Sequence, residues 1–252
     1  MSQRIPPKSG VAFILKKGER LTVMAVGGYG RGEMAPFSDV DLLFLTPWKI
    51  TPWAESVIES MLYIFWDLKL KVGHASRTVK DCLRLGGEDY TIRTAMLENR
   101  FIIGHEPLAR ELETRLWSDL FKGSERAFVA AKLEERGQRH RKQGLRYVVE
   151  PNVKEGKGGL RDLQSLFWIA KYTYRVTNKA DLVGHGMFTP DEFETFELAE
   201  NFLWATRAHL HFINRRPMEQ RSRTQISGLP IHGARHRGLA DKSWKPAPWL
   251  GN

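Results

Sequence analysis

GGYGRGEMAPFSDVDLLFL, residues 27–45, decides how this chain is read. Leu21–Val26 (LTVMAV) precedes it as a short apolar run ending at Gly27-Gly28, the pattern of a buried strand. Val40–Leu45 (VDLLFL) predicts a second buried strand, stopped by Pro47. Between the two, Gly27–Gly32 reads as a glycine-rich turn. Asp39 and Asp41 stand two apart at the mouth of the second strand. Strand side chains alternate, so both carboxylates face one side. Two hard oxygen ligands side by side suit Mg²⁺, which favours carboxylates together with substrate phosphates. Gly27 and Gly28 allow phosphates to approach main-chain N–H groups closely, and Arg31 and Ser38 are further candidate phosphate contacts. An Asp-x-Asp alone is more simply a solvated turn. Strand, Gly-Gly, a spacer and Ser-Asp-x-Asp opening a second strand are together far more specific. The segment is not a Walker A loop, because no Gly-Lys-Ser/Thr follows, nor a dinucleotide fingerprint, because it leads to a carboxylate pair.

Working outward, Trp53–Leu68 predicts a helix, with Trp53, Val57, Ile58, Met61, Leu62 and Phe65 at three- and four-residue steps. Leu70–Arg77 predicts a third strand. Val79–Leu85 and Thr91–Ile103 read as helices separated by Gly86-Gly87. Pro107–Phe121 and Ser124–Lys142 are amphipathic, and Pro151–Gly159 (PNVKEGKGG) is a loop. Leu160–Val176 predicts a helix with a stripe at Leu160, Leu163, Phe167, Ala170 and Tyr174. Thr189–Asn214 opens with a capping box of Thr189, Pro190 and Glu192. The whole is an α/β (α+β) chain: a small mixed sheet flanked by helices, then a helical subdomain closing one side of a cleft. The change from α/β to helical character falls near residues 118–124.

The composition, 42% hydrophobic and 27% charged residues, is that of a folded protein of one large or two small domains. Cys82 is the only cysteine, so no internal disulfide and no cysteine zinc cluster can form. No apolar run reaches the length of a membrane helix, and Val11–Leu15 is too short for a signal peptide, so a soluble cytoplasmic protein is expected. The net charge of +10 raises nucleic acid as a partner. From Arg215 onward, however, eight Lys/Arg face two Asp/Glu, so most of the excess sits in a short tail. From Pro217 that tail has scattered apolar residues without a period. It reads as a disordered basic end, or as an out-of-frame or truncated one.

The quoted segment resembles the nucleotidyltransferase fold shared with polymerase β, and in its fuller form the bacterial protein-PII uridylyltransferase family. Leu70–Thr78 (LKVGHASRT) with Glu88–Gly104 (EDYTIRTAMLENRFIIG), and Val149–Lys171 (VEPNVKEGKGGLRDLQSLFWIAK), resemble further blocks of that family. The resemblance runs over about residues 20–216. It divides the chain into a lead-in (1–20), a nucleotidyltransferase domain (21–120), a helical uridylyltransferase-associated domain (121–216) and an atypical tail (217–252). It implies transfer of UMP from UTP to a tyrosine of the PII signalling protein, with release of pyrophosphate. Gly27 and Gly28 would hold the triphosphate, and Asp39 and Asp41 would bind two Mg²⁺ ions in a two-metal clamp. Sites of this fold usually have a third carboxylate on a later strand. Leu70–Arg77 contains no acid, which leaves Asp67, Asp89 or Glu98 as candidates. The family's HD hydrolase and ACT sensor domains have no counterpart here, so the chain reads as a truncated form without uridylyl removal or glutamine control. Adenylyl transfer to a metabolic enzyme and a non-catalytic module that binds PII or nucleotide are the alternatives.

Other signals are weaker. Lys154, Lys157 and Arg161 flank the glycine loop and face either phosphates or the partner protein, or simply solvent. Asp162 suits the first turn of a helix in any case. The run Arg136–Lys142 (RGQRHRK) lacks the aromatic interleaving of a nucleic-acid surface and is read as a solvated face, so nucleic acid is not expected as a partner. His209 and His211, two apart on a helix, diverge and make a poor metal pair. His74 is read as a core or hydrogen-bonded histidine near the site, and Cys82 as a small core residue without an activating pattern.

Overall fold

The structure, a computed structural model, describes residues 19–143 and 152–220. Four strands form one mixed sheet: β1 (Thr22–Ala25), β2 (Val40–Thr46), β3 (Val72–Thr78) and β4 (Arg100–Gly104), in the order β3-β2-β1-β4. β1 pairs antiparallel with both β2 and β4, and β2 pairs parallel with β3. A parallel pair needs a crossover. Helix α2 (Pro52–Asp67) provides it, opened by Thr51 Oγ1 accepting from Ala54 N and by Pro52 in the first turn.

Alternation along the strands sorts the core into two layers. Val23, Leu42 and Phe44 meet Ile58 and Leu62 of α2 on one face. Met24, Leu43 and Leu45 point to the other face. There they join residues of α3 (Val79–Glu88), α4 (Tyr90–Leu97), α5 (Glu106–Arg115), the π-helical turn Leu116–Phe121, α6 (Glu125–Gln143) and α7 (Leu160–Tyr174). Phe128 of α6 stacks on Tyr172 of α7 with ring centroids 3.9 Å apart, and both belong to that second layer. One core therefore runs across residues 118–124. A third cluster, Phe167, Ala170, Val176 and Leu182, seats α7 against the short helix α8 (Asp181–Gly184) and α9 (Pro190–Asn214). Thr189 and Glu192 form both bonds of the expected capping box at the start of α9.

Several local expectations are corrected. Gly27–Gly32 is not an open turn: Gly27–Arg31 is one turn of helix (α1), closed by Gly32 in the left-handed region. Thr91–Ile103 is not one helix. It is α4 followed by the edge strand β4, because Glu98 and Asn99 end the helical bonding and Phe101–Ile103 add to β1. Gly86-Gly87 does not break α3, which runs to Glu88. The Arg93 guanidinium donates to the carbonyls of Gly86 and Gly87 at 2.7 and 3.2 Å. In α7 the buried set is wider than the predicted stripe and includes Trp168 and Tyr172, whereas Tyr174 is exposed. His74 is exposed and shares the sheet face of Phe44, opposite Asp41. Cys82 is buried, and burial pushes its thiol up to about 12, as an inert core residue requires. The expectations for the lead-in 1–18 and for the tail 221–252 lie outside the described residues. Residues 217–220 return to the body: Val153 N donates to Glu219 O at 2.8 Å, and Asn152 bridges to Gln220. No described helix is long and apolar enough to cross a membrane.

Candidate active site

The strand ends and the helical half face each other across a cleft of about 700 Å³. Gly27, Gly28, Arg31, Ser38, Asp39 and Asp41, all singled out in the sequence, line it together. Asp41 lies on the face of β2 that carries Leu43 and Leu45, and Asp39 precedes the strand. The Asp41 carboxylate rests on bare backbone. A Cβ at Gly73 would come within 2.6 Å of Asp41 Oδ1, and one at Gly27 within 3.2 Å of Oδ2. Gly73 is the register partner of Asp41 in the parallel pair, so strand pairing itself sets this contact. Burial and then the neighbouring Asp39 charge raise the Asp41 pKa, with Lys154 opposing them. Two adjacent carboxylates beside open space, the charge of Asp41 disfavoured by its surroundings, are a fitting half-shell for a divalent cation. No group of three or more His, Cys, Asp or Glu that could hold a metal occurs among the described residues. Any cation on this pair would therefore complete its shell from substrate or water.

Of the three candidates for a third acid, only Glu98 reaches the cleft. Asp89 is occupied as the cap of α4, accepting from the N–H groups of Thr91 and Ile92. Asp67, the last residue of α2, does not line the cleft. Glu98 is fully buried and bonded to the Arg31 guanidinium. Its Oε1 has no hydrogen-bond partner among the described residues, and neither has the buried indole N–H of Trp168. Burial pushes the Glu98 pKa up, against the pull of Arg31. Gly30 makes this meeting possible: a Cβ there would sit 1.8 Å from the Glu98 carbonyl oxygen.

Arg31 begins a chain of charges that the sequence alone does not reveal. It pairs with Glu98 and, at 2.9 Å, with Glu33; Glu33 pairs with Lys179 at 2.7 Å, and Lys179 with Glu200 at 2.7 Å. Burial pushes the Glu33 pKa up, but Lys179 and Arg31 outweigh it and hold the carboxyl low. Burial likewise works against the Lys179 charge, and Glu200 and Glu33 outweigh it. A second tie joins the same halves. His211 of α9 is fully buried and donates from Nδ1 to the Pro36 carbonyl. That carbonyl precedes Phe37, whose φ of 62° lies in the left-handed region, a conformation a bulky residue adopts only when its surroundings impose it.

The helical wall is basic. Lys132, Arg139, Lys154, Arg161 and Arg207 all line it, whereas the exposed Lys157 does not. Arg31 from one wall and Arg161 from the other both lie over the Trp168 ring, at 5.6 and 5.4 Å from its centroid. The run Arg136–Lys142 turns out to be anchored rather than merely solvated. Asp162 accepts from Arg139, from His140 and from Gly158 N, which fixes α6 to the start of α7. That role was hidden because the partners lie more than twenty residues apart.

Comparison with known proteins agrees with this architecture. Residues 10–83 match the nucleotidyltransferase domain family, and residues 127–225 match the family described as GlnD PII-uridylyltransferase. A bifunctional uridylyltransferase/uridylyl-removing enzyme of Ruegeria pomeroyi is 72% identical over 204 residues, covering 81% of this chain and 22% of that protein. The enzyme of the same description from Cereibacter sphaeroides is 66% identical over 226 residues (89% of this chain, 24% of that protein). The one from Rhodopseudomonas palustris is 55% identical over 227 residues (88% and 24%). The chain thus spans less than a quarter of the length of these curated relatives.

Proposed function

From the kinship of this chain with the bifunctional uridylyltransferase/uridylyl-removing enzymes, and from its nucleotidyltransferase domain, we propose that it transfers UMP from UTP to a tyrosine of a PII signalling protein and releases pyrophosphate. The observation that carries this reading is the Asp39–Asp41 pair beside Gly27-Gly28, opposite a basic wall in one cleft. Asp39 and Asp41 would hold the divalent cation, Mg²⁺ in this reading. When bound it neutralises phosphate charge and favours attack by the tyrosine oxygen. The protein's own part is positioning. The first amides of α1 lack intrahelical acceptors and can meet phosphate oxygens. Arg31, held by Glu33 and Glu98, keeps a fixed positive charge at the same end of the cleft. Phosphoryl transfers of this kind ask mainly for such alignment and charge neutralisation. Trp168 and Glu98, both buried, line the same cleft.

One observation favours a non-catalytic binding module instead: Glu98, the one third-acid candidate that lines the cleft, is paired with Arg31 rather than left open. The test is intact-mass spectrometry of purified PII protein incubated with this chain, UTP and Mg²⁺, beside an Asp39→Asn, Asp41→Asn double variant. A gain of one UMP that disappears in the variant is expected. No gain from the folded chain, with PII binding retained, would favour the binding module.

A further inference from the structure

The basic wall holds more positive charge than its own carboxylates can answer. Glu155 is approached by three cations: Arg161 at 3.3 Å, Arg139 at 3.8 Å and Lys154 at 4.0 Å. Arg139 Nε is buried with no hydrogen-bond partner among the described residues. Arg207, which also presses its charge on Lys154, is itself taken up by Glu219 in a bidentate pair at 2.7–3.0 Å. Lys154 is therefore a half-buried ammonium with neighbouring guanidiniums, and the carboxylates that act on it, Glu219 and Glu155, are both shared with those guanidiniums. Burial, then Arg161 and Arg207, lower its pKa, so its charge is tolerated rather than stabilised by the fold. The backbone that carries it is nonetheless fixed. Asn152 Oδ1 accepts from Lys154 N at 3.0 Å and from Glu155 N at 2.7 Å, and the Lys154 carbonyl accepts from Arg161 N at 2.8 Å. A rigid loop that holds a poorly compensated cation against Asp41's side of the cleft is built for an anion that arrives from outside.

We propose that Lys154, Arg139 and Arg161 form an anion subsite that takes the terminal phosphates of the nucleoside triphosphate. This rests on the nucleotidyltransferase reading and adds the second wall to it. The Asp39–Asp41 wall addresses the reacting end of the triphosphate, and this wall its far end. The loop between Asn152 and Gly159 then serves as a sensor of triphosphate length, whichever base is attached.

Equilibrium titrations of the whole chain with UTP, UMP and inorganic tripolyphosphate test this, using Lys154→Met and Lys154→Arg. Lys154→Met is expected to weaken UTP and tripolyphosphate about 10- to 100-fold, the range of one charge-assisted contact. UMP should stay within about two-fold, and Lys154→Arg should restore most of the loss. Because Lys154 is not stabilised where it sits, Lys154→Met should melt no lower than the unsubstituted chain. Unchanged UTP affinity, equal weakening of UTP and UMP, a lowered melting point, or no tripolyphosphate binding by the unsubstituted chain would each overturn the subsite. The Asp39→Asn, Asp41→Asn variant separates this from the parent reading. If that reading fails, UTP binding ignores Mg²⁺ and the double substitution, while the effect of Lys154→Met on tripolyphosphate still reports on the subsite.

Discussion

The two walls of the cleft are made by different means. The acidic wall is local and backbone-built: Asp41 stands where β2 pairs with β3, and its carboxylate fits because Gly27 and Gly73 carry no side chain. The basic wall is assembled from α6, α7, α9 and a loop, held by pairs such as Arg139–Asp162 and Arg207–Glu219, and the two halves are tied by Lys179–Glu33, 146 residues apart in sequence. The contrast teaches where each should fail. Small steric changes should break the first wall abruptly, whereas charge changes should loosen the second by degrees.

The sharpest break should come at Gly73. Gly73→Ala places a Cβ 2.6 Å from Asp41 Oδ1 and must turn that carboxylate. The proposed uridylyl transfer should fall by about 10²-fold, the order expected for a displacement near 1 Å, with the melting point little changed. An active Gly73→Ala would show that Asp41 needs no such seat. Next, Lys179→Met should leave Glu33 and Glu200 partly buried without their shared cation. A loss of about 1–3 kcal/mol in denaturant unfolding is expected, smaller than for a fully buried pair because water reaches these groups.

Acid should reproduce part of that loosening. The folded-state pKa of Glu33 lies below its ordinary 4.5, so the stability it contributes is present above that value and is lost as pH falls through the folded-state pKa. Stability should decline below about pH 4.5, and Glu33→Gln should flatten that decline in a pH series of thermal melts. The mildest change, Thr78→Ala, touches neither wall. It removes the Thr78–Asp81 capping box of α3 and should lower stability by about 1 kcal/mol with UTP affinity unaltered. A change in affinity would mean that the two walls are less separate from the scaffold than their construction suggests.

The acidic wall is legible in the sequence because its logic is sequential. Apolar runs predict β1 and β2, alternation puts Asp39 and Asp41 on one side, and glycines mark close approach. The misreadings arise where tertiary contacts overrule a local signal. Phe101–Ile103 continues the apolar stripe of α4, yet β1 offers an edge that captures it as β4. Gly86-Gly87 looks like a break, yet Arg93 satisfies its carbonyls and the helix continues. Lys154 and Arg161 read in sequence as a basic loop without a direction; only the folded chain turns them into the cleft that Asp41 lines. The Glu98–Arg31–Glu33–Lys179–Glu200 chain left no sequence signal, since no spacing rule links Glu33 to Lys179.

The Phe128–Tyr172 stack under the sheet bears on how the molecule comes apart. Met24 and Leu43 of the sheet share a single oily interior with Phe121, Phe128, Trp168 and Tyr172. Cutting the polypeptide near residue 120 would expose both sides of that interior to water and leave each part only its smaller cluster, around Phe44 and Ile58 in one and around Ala170 and Leu182 in the other. Melting of residues 19–220 should then be one cooperative event, with sheet and helix signals lost together. The sheet and the helices over it then unfold together.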